Sequence, residues 1–317
     1  MKKIYLIVFL LGTITLSFYL GYNFHLKNEE VPFIQSEQNI NFQDSQVIPW
    51  GTEIIGKKQN AKLENEKKIK IAILDSGINK DHKDLDGKIV EEYNAVQPQE
   101  PLVDTLNHGT AIAGIITAND NDFGIVGISQ NVELYSVKVI DDNGKIKKND
   151  FLDGFKWAMS QDVNIINISL GFPNDFPELN KLIDSAVNKE IIIVAASGNT
   201  FGLNAQFPAR YDGVFSVGSI DKQGKLPSFS ANGKVDFVAP GVDVLSLNND
   251  RESYSYSEGS SYSTAYITGI ISEFLLSNDF KGKEDIFFEV QSFLEKSSLK
   301  LKGDKGNIGN GFPILKN

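Results

Sequence analysis

Cysteine is absent from the 317 residues. Its absence excludes disulfide frameworks, thiolate-ligated zinc, thiol nucleophiles and a lipid-bearing cysteine. Histidine is scarce, with three in the chain, so the setting of each one carries weight. Runs of positive charge are missing as well. The lysines between Lys57 and Lys70 are interleaved with apolar and acidic residues, and the formal net charge of -10 repels phosphate backbones. Nucleic acid is therefore not an expected partner. There is no internal repeat and no low-complexity stretch, which argues against a stalk-like adhesin. What is present is an ordinary globular composition, 41% hydrophobic and 23% charged, enough for one large core or two small ones.

The N-terminus is the one strongly biased segment. Met1-Lys2-Lys3 is followed by an uncharged, mostly apolar run from Ile4 to about Phe24, which reads as an export signal or membrane anchor over residues 1–24. Lysines on its N-terminal side favour a cytoplasmic start with the rest of the chain outside, so an extracellular or cell-surface location is expected, either membrane-anchored or secreted. The bulky residues Phe18-Tyr19-Leu20 and Tyr22 stand where a cleavage site wants small ones. Residues 25–44 are polar and aperiodic, a linker, and one folded domain is expected over 45–317.

Within that domain short β-branched runs alternate with helical spacing. Ile69–Leu74, Leu134–Ile140, Val163–Leu170, Ile191–Ala196, Val214–Val217 and Val235–Ala239 read as strands. His108–Ala118, Asp150–Gln161, Glu178–Asn188 and Ser261–Leu276 read as helices, with Pro177 well placed at a helix start. The alternation predicts an α/β fold with a largely parallel central sheet and helices on both faces.

In such sheets catalysis sits at the carboxyl ends of the strands. Asp75 follows the strand Ile71-Ala72-Ile73-Leu74 and precedes Ser76-Gly77; His108 lies in Asn107-His108-Gly109-Thr110 before an apolar helix; Ser261 lies in Gly259-Ser260-Ser261 where another helix begins. Each alone has a plainer reading. Asp and Gly serve turns for backbone reasons, and a serine before a helix is most often a cap. Together, and in this order, they resemble the subtilisin-like (subtilase) serine peptidases. Aspartate, histidine and serine follow one another in the order that marks subtilisin, and no Gly-x-Ser-x-Gly elbow surrounds Ser261. Ala196-Ser197-Gly198-Asn199 and Val238-Ala239-Pro240-Gly241 extend the resemblance over most of the domain.

The resemblance implies a serine endopeptidase without a catalytic cofactor. It implies Ser261 as the nucleophile, His108 as the base, Asp75 as its orienting carboxylate and Asn199 as an oxyanion donor. An extended peptide would pair near Ser169-Leu170-Gly171 and the lysine-rich stretch leading to Phe151, and Gly198 and Gln206 would line the pocket for the residue before the cut. Gln46, Asp84, Asn119, Asn121, Phe123 and Ile125 resemble the family's structural calcium site, although Asn and Asp there would also serve ordinary turns. Tyr262, where the family usually has Met, is expected to alter the rim of the cleft. The stretch before Ser45 is too short for a folded pro-domain. This compact build also resembles the leader peptidases that trim lantibiotic precursors. A general scavenging protease, or a non-catalytic peptide-binding protein on the same scaffold, are the alternatives. The expected partners are a peptide or protein substrate and, through the N-terminal segment, a membrane; the chain is expected to be a monomer.

Overall fold

The computed structural model describes residue 42 and residues 45–56, 67–278 and 285–315, all within the compact unit 34–317. The expected export segment, and the linker apart from residue 42, lie outside the described residues. Among the described residues no helix is long and apolar enough to cross a membrane.

Seven strands form one sheet. They are β1 (Ile69–Asp75), β2 (Ile89–Asn94), β3 (Val132–Lys138), β4 (Ile165–Ile168), β5 (Ile192–Ala196), β6 (Val214–Ile220) and β7 (Phe237–Pro240), in the order β2-β3-β1-β4-β5-β6-β7. Every pairing is parallel. The sheet is covered on both faces, which is why its inner strands are apolar without alternation. Along β1, Ile71 and Ile73 join one core while Ala72 and Leu74 join the other. The first core is built with α2 (His108–Thr117) and α5 (Ser260–Ser277), both buried on nearly all sides. The second is built with α3 (Lys148–Ser160) and α4 (Pro177–Val187), ordinary amphipathic helices with one buried stripe. In α4 that stripe is Leu179, Ile183 and Ala186, and Pro177 occupies the first turn, where its missing N–H costs nothing.

Several boundaries differ from the expected ones for identifiable reasons. The third strand begins at Val132 and stops at Lys138 because the next two amides, of Val139 and Ile140, both turn to donate to the Asp75 carbonyl. The edge strand β2 escapes a hydrophobicity reading because two adjacent glutamates interrupt it, Glu91 exposed and Glu92 half-buried, as suits an edge. An antiparallel pair, β8 (Val244–Leu247) and β9 (Tyr254–Ser257), a short helix α1 (Trp50–Ile55) and a late helix α6 (Ile286–Ser297) were also not anticipated. The last is capped by Asp285, whose side chain accepts from the Phe288 amide at 3.0 Å.

The order of strands reverses at β1, whose neighbours are β3 on one side and β4 on the other. A crevice opens outside the carboxyl ends of strands at such a point. Asp75 ends β1, Ser169 follows β4 directly, and Asn199 stands three residues past β5.

Candidate active site

Asp75 and His108 are brought together by backbone contact between their two segments. The turn after β1 and the first turn of α2 approach so closely that a Cβ at Gly109 would lie 2.0 Å from the Gly77 carbonyl oxygen. Only glycine fits there. The result is a buried pair: His108 Nδ1 lies 2.7 Å from Asp75 Oδ1, and each side chain is 1% exposed. The same carboxylate oxygen accepts from the Ser76 amide at 2.7 Å. A carboxylate can only accept, so Nδ1 donates, and in a neutral imidazole of that tautomer the lone pair is on Nε2.

Ser261 is the second residue of α5, so its own N–H belongs to the first turn, where no intrahelical acceptor exists. Its hydroxyl donates to the Ser169 carbonyl at 2.8 Å, and Ser169 Oγ donates back to the Ser261 carbonyl at 3.2 Å. The end of β4 thus grips the serine. Behind it runs a buried polar chain: Thr268 Oγ1 donates to Asn167 Oδ1 at 2.8 Å, and Asn167 Nδ2 donates to Ser169 Oγ at 2.9 Å. Asn199 is held by the residue next to the serine. Its Oδ1 accepts from the Ser260 amide at 3.0 Å and from Ser260 Oγ at 3.2 Å, while Ser260 Oγ accepts from the Gly198 amide at 3.1 Å. With its oxygen occupied, the carboxamide has its NH₂ left to offer.

Gly171 and Gly198 flank the Gln206 side chain. A Cβ on Gly171 would lie 2.7 Å from Gln206 Cβ, and one on Gly198 would lie 2.7 Å from Gln206 Oε1. Gln206 therefore occupies the slot that the two glycines leave. Leu170, between Ser169 and Gly171, is buried.

Tyr262 is not at a rim. It is 2% exposed, with its ring edge-on to the His108 imidazole at a centroid distance of 5.5 Å. One residue along a helix turns the side chain by about 100°, which carries Tyr262 away from the cleft and under the imidazole. Burial pushes its hydroxyl up to about 12, and the nearby carboxylates of Asp75 and Asp104 add to the rise.

The six residues of the expected cation site also meet. Gln46 Nε2 lies 2.8 Å from the Asn119 carbonyl, 3.3 Å from Asn121 Oδ1, 3.4 Å from the Phe123 carbonyl and 3.3 Å from the Ile125 carbonyl. Asp84 closes the loop from the other side. It accepts from Asn121 Nδ2 at 3.0 Å, the Ile125 amide at 3.0 Å and Tyr254 OH at 3.0 Å. Burial raises the Asp84 carboxyl above its ordinary range, against the pull of those three hydrogen bonds. The neighbouring His82 is pushed down to about 4, mainly by burial.

Sequence reasoning missed Ser76, Asp104, Thr110, Asn167 and Ser260, all buried polar residues around this site. The available signal was the spacing Asp104-x-x-x-His108 and the hydroxyl residues beside Asp75, His108 and Ser261.

An α/β sheet with a buried aspartate–histidine pair and a serine at a helix start defines a class of hydrolase scaffold, and comparison with known proteins places it. A profile of the Subtilase family matches residues 66–311. The chain belongs to the subtilase family. It is 34% identical over 235 residues to the thermophilic serine proteinase of Bacillus sp. (strain AK1), an alignment covering 74% of this chain and 57% of that protein. It is 31% identical over 299 residues to the major intracellular serine protease of Bacillus subtilis (strain 168), covering 90% and 92%. Against subtilisin DY of Bacillus licheniformis the identity is 33% over 231 residues, covering 71% and 83%. The chain spans only 57% of the AK1 proteinase and 64% of the thermostable alkaline protease of Halalkalibacterium halodurans.

Proposed function

We propose that this subtilase is a serine endopeptidase in which Ser261 attacks the scissile carbonyl and His108 takes its proton. The observation that carries the reading is the 2.7 Å bond between His108 Nδ1 and Asp75 Oδ1, which leaves Nε2 as a base at the end of β1. For attack, the Ser261 hydroxyl leaves the Ser169 carbonyl for the imidazole by rotation about its single χ1 bond. His108 then passes the proton to the leaving amine, and Asp75 stabilises the transient imidazolium. Negative charge builds on the carbonyl oxygen. The Ser261 N–H at the positive end of α5 and the Asn199 NH₂ are the donors that meet it. Peptide substrate pairs in extended form along Ser169-Leu170-Gly171.

On the finer question of substrate, we read the chain as a precursor-processing protease and not a scavenger. The supporting observation is Gln206, whose side chain lies between Gly171 and Gly198 and would set a polar amide against the residue before the cut, a basis for selecting one precursor. The test uses the intact chain with three reagents: a fluorophosphonate, casein, and secreted peptide precursors from the same organism. Labelling, with one precursor cut at one bond and casein left whole, is the expected result. Rapid digestion of casein at many bonds would establish the scavenging reading. No labelling and no cleavage would favour a non-catalytic binding protein. The N-terminal apolar segment supports export, with the peptidase domain working outside the membrane, anchored or released.

A structural calcium ion fits the Gln46 loop. Four oxygens converge on a single point, the donors are all oxygen, and Asp84 supplies charge beside them. Gln46 Nε2 sits at that point as it stands, so an ion there would take its place, with the side chain withdrawing and turning its amide oxygen toward the ion. Gln46, Asp84, Asn121 and the carbonyls of Asn119, Phe123 and Ile125 would hold the ion. It supplies rigidity, not chemistry. Millimolar calcium is therefore expected to raise the Tm by about 5 °C or more over chelator-treated protein, an increment set by ligand linkage. The Asp84→Asn variant should show almost no calcium-dependent shift in the same thermal scan.

A further inference from the structure

Asp104 stands in the loop before α2, is 4% exposed, and has no part in the chemistry described so far. Its carboxylate accepts four hydrogen bonds. Oδ1 takes Ser76 Oγ–H at 2.8 Å and the Leu106 amide at 3.1 Å. Oδ2 takes the Thr110 amide at 3.0 Å and Thr110 Oγ1–H at 2.6 Å. All four donors are neutral. Burying a carboxylate is costly, and neutral donors offset that cost without cancelling the charge.

The donors come from both sides of the catalytic pair. Ser76 directly follows Asp75, and Thr110 is two residues past His108. Ser76 Oγ also accepts from the Gly109 amide at 3.0 Å, and Thr110 Oγ1 also accepts from the Asn79 amide at 2.9 Å. One carboxylate therefore sews the segment 75–79 to the segment 107–110.

We propose that Asp104 is a positioning residue for the reaction: it clamps Asp75 and His108 in register and supplies a second buried negative charge that favours the imidazolium. The inference rests on His108 being the base. Asp75 from β1 and Tyr262 from α5 contact that ring, and the charged groups held on the neighbouring residue Ser76 include Asp104 from the preceding loop and Lys138 from β3. The Lys138 ammonium lies 2.9 Å from the Ser76 carbonyl and 3.1 Å from Asp142, whose carboxylate offsets it. Asparagine cannot replace Asp104 fully. Its NH₂ would face a backbone N–H wherever it pointed, that of Leu106 or that of Thr110, and the charge would be gone.

The test compares Asp104→Asn, Asp104→Glu and Ser76→Ala in the full chain, measuring kcat, KM, thermal stability and the pH profile of kcat/KM. Asp104→Asn is expected to lower kcat by roughly 10- to 100-fold with KM nearly unchanged, the scale of a mispositioned or less stabilised catalytic group. The acid limb of its profile should move to lower pH, because a nearby anion is removed. Asp104→Glu should keep the limb in place. Ser76→Ala, which removes the clamp and leaves the charge, should lower kcat by about 5-fold or more without moving the limb. A lower Tm with kcat and the limb both at their original values would make Asp104 merely structural and overturn the proposal. If Asp104→Asn does not fold, a Ser76→Ala variant of full kcat overturns it equally. Should the unaltered chain neither label with fluorophosphonate nor cleave, the assignment of His108 is what fails.

Discussion

Replacing Ser261 with alanine is expected to lower kcat about a million-fold while leaving the fold and KM nearly untouched; the magnitude is the one known for the serine of subtilisin, a member of this family, and is carried over to this chain. The reason for the size is that the hydroxyl is the bond-forming atom, so nothing else in the crevice can take its place. The fold should survive because little depends on the side chain. Ser261 is half-buried, and its hydroxyl makes one hydrogen bond, to the Ser169 carbonyl, worth about 1 kcal/mol net. Ser169 still donates its own hydroxyl to the Ser261 main chain. Turnover of a cleaved precursor and fluorophosphonate labelling measure the loss, and a thermal scan checks the fold. Residual activity should still exceed that in water by about 10³ to 10⁴, from binding and the oxyanion donors. A variant that kept one-tenth of the original kcat would sink the assignment.

The pairing of Asp75 with His108 and the place of Ser261 at a helix start were legible as positions because each residue sits in a short stretch with its own local signal: a buried strand ending in a carboxylate, a lone histidine before an apolar helix, a serine before another. The alternating runs gave the parallel sheet for the same reason, since a strand covered on both faces must be apolar throughout. What could not be read depends on contacts between distant segments. Ser76 meets Asp104 across 28 residues and Ser260 meets Asn199 across 61, and nothing local in a serine distinguishes a clamp from a turn. Strand β2 failed for a different reason. Its adjacent glutamates, Glu91 exposed and Glu92 half-buried, suit an edge and erase the apolar signal. Tyr262 was misjudged because adjacency to the serine in sequence is not adjacency in the cleft: its ring is buried against His108. The residues of the expected cation loop lie together, with four oxygens around Gln46 Nε2.

The second large effect concerns charge and not the nucleophile. Asp75→Asn preserves size and is expected to lower kcat about 10⁴-fold, the scale known for orienting aspartates in serine proteases including subtilisin. Asp75 Oδ1 accepts from two fixed donors at once, the Ser76 amide and His108 Nδ1. If the new amide keeps its oxygen there, its NH₂ falls at the Oδ2 position, a buried atom with no hydrogen-bond partner among the described residues, and that donor is left unsatisfied. If it turns over, NH₂ confronts both donors and the ring must expose its other tautomer, which places a proton where the base is needed. In either orientation the charge that stabilised the imidazolium is lost. KM should change little, because Asp75 is buried and makes no contact that a peptide could reach. Combining Asp75→Asn with Ser261→Ala should cost no more than Ser261→Ala alone, since an orienting carboxylate has nothing to act through once the hydroxyl is gone. Steady-state kinetics on the two single variants and the double variant measure this. A double variant another 10⁴-fold slower would mean that Asp75 and Ser261 do not belong to one catalytic unit.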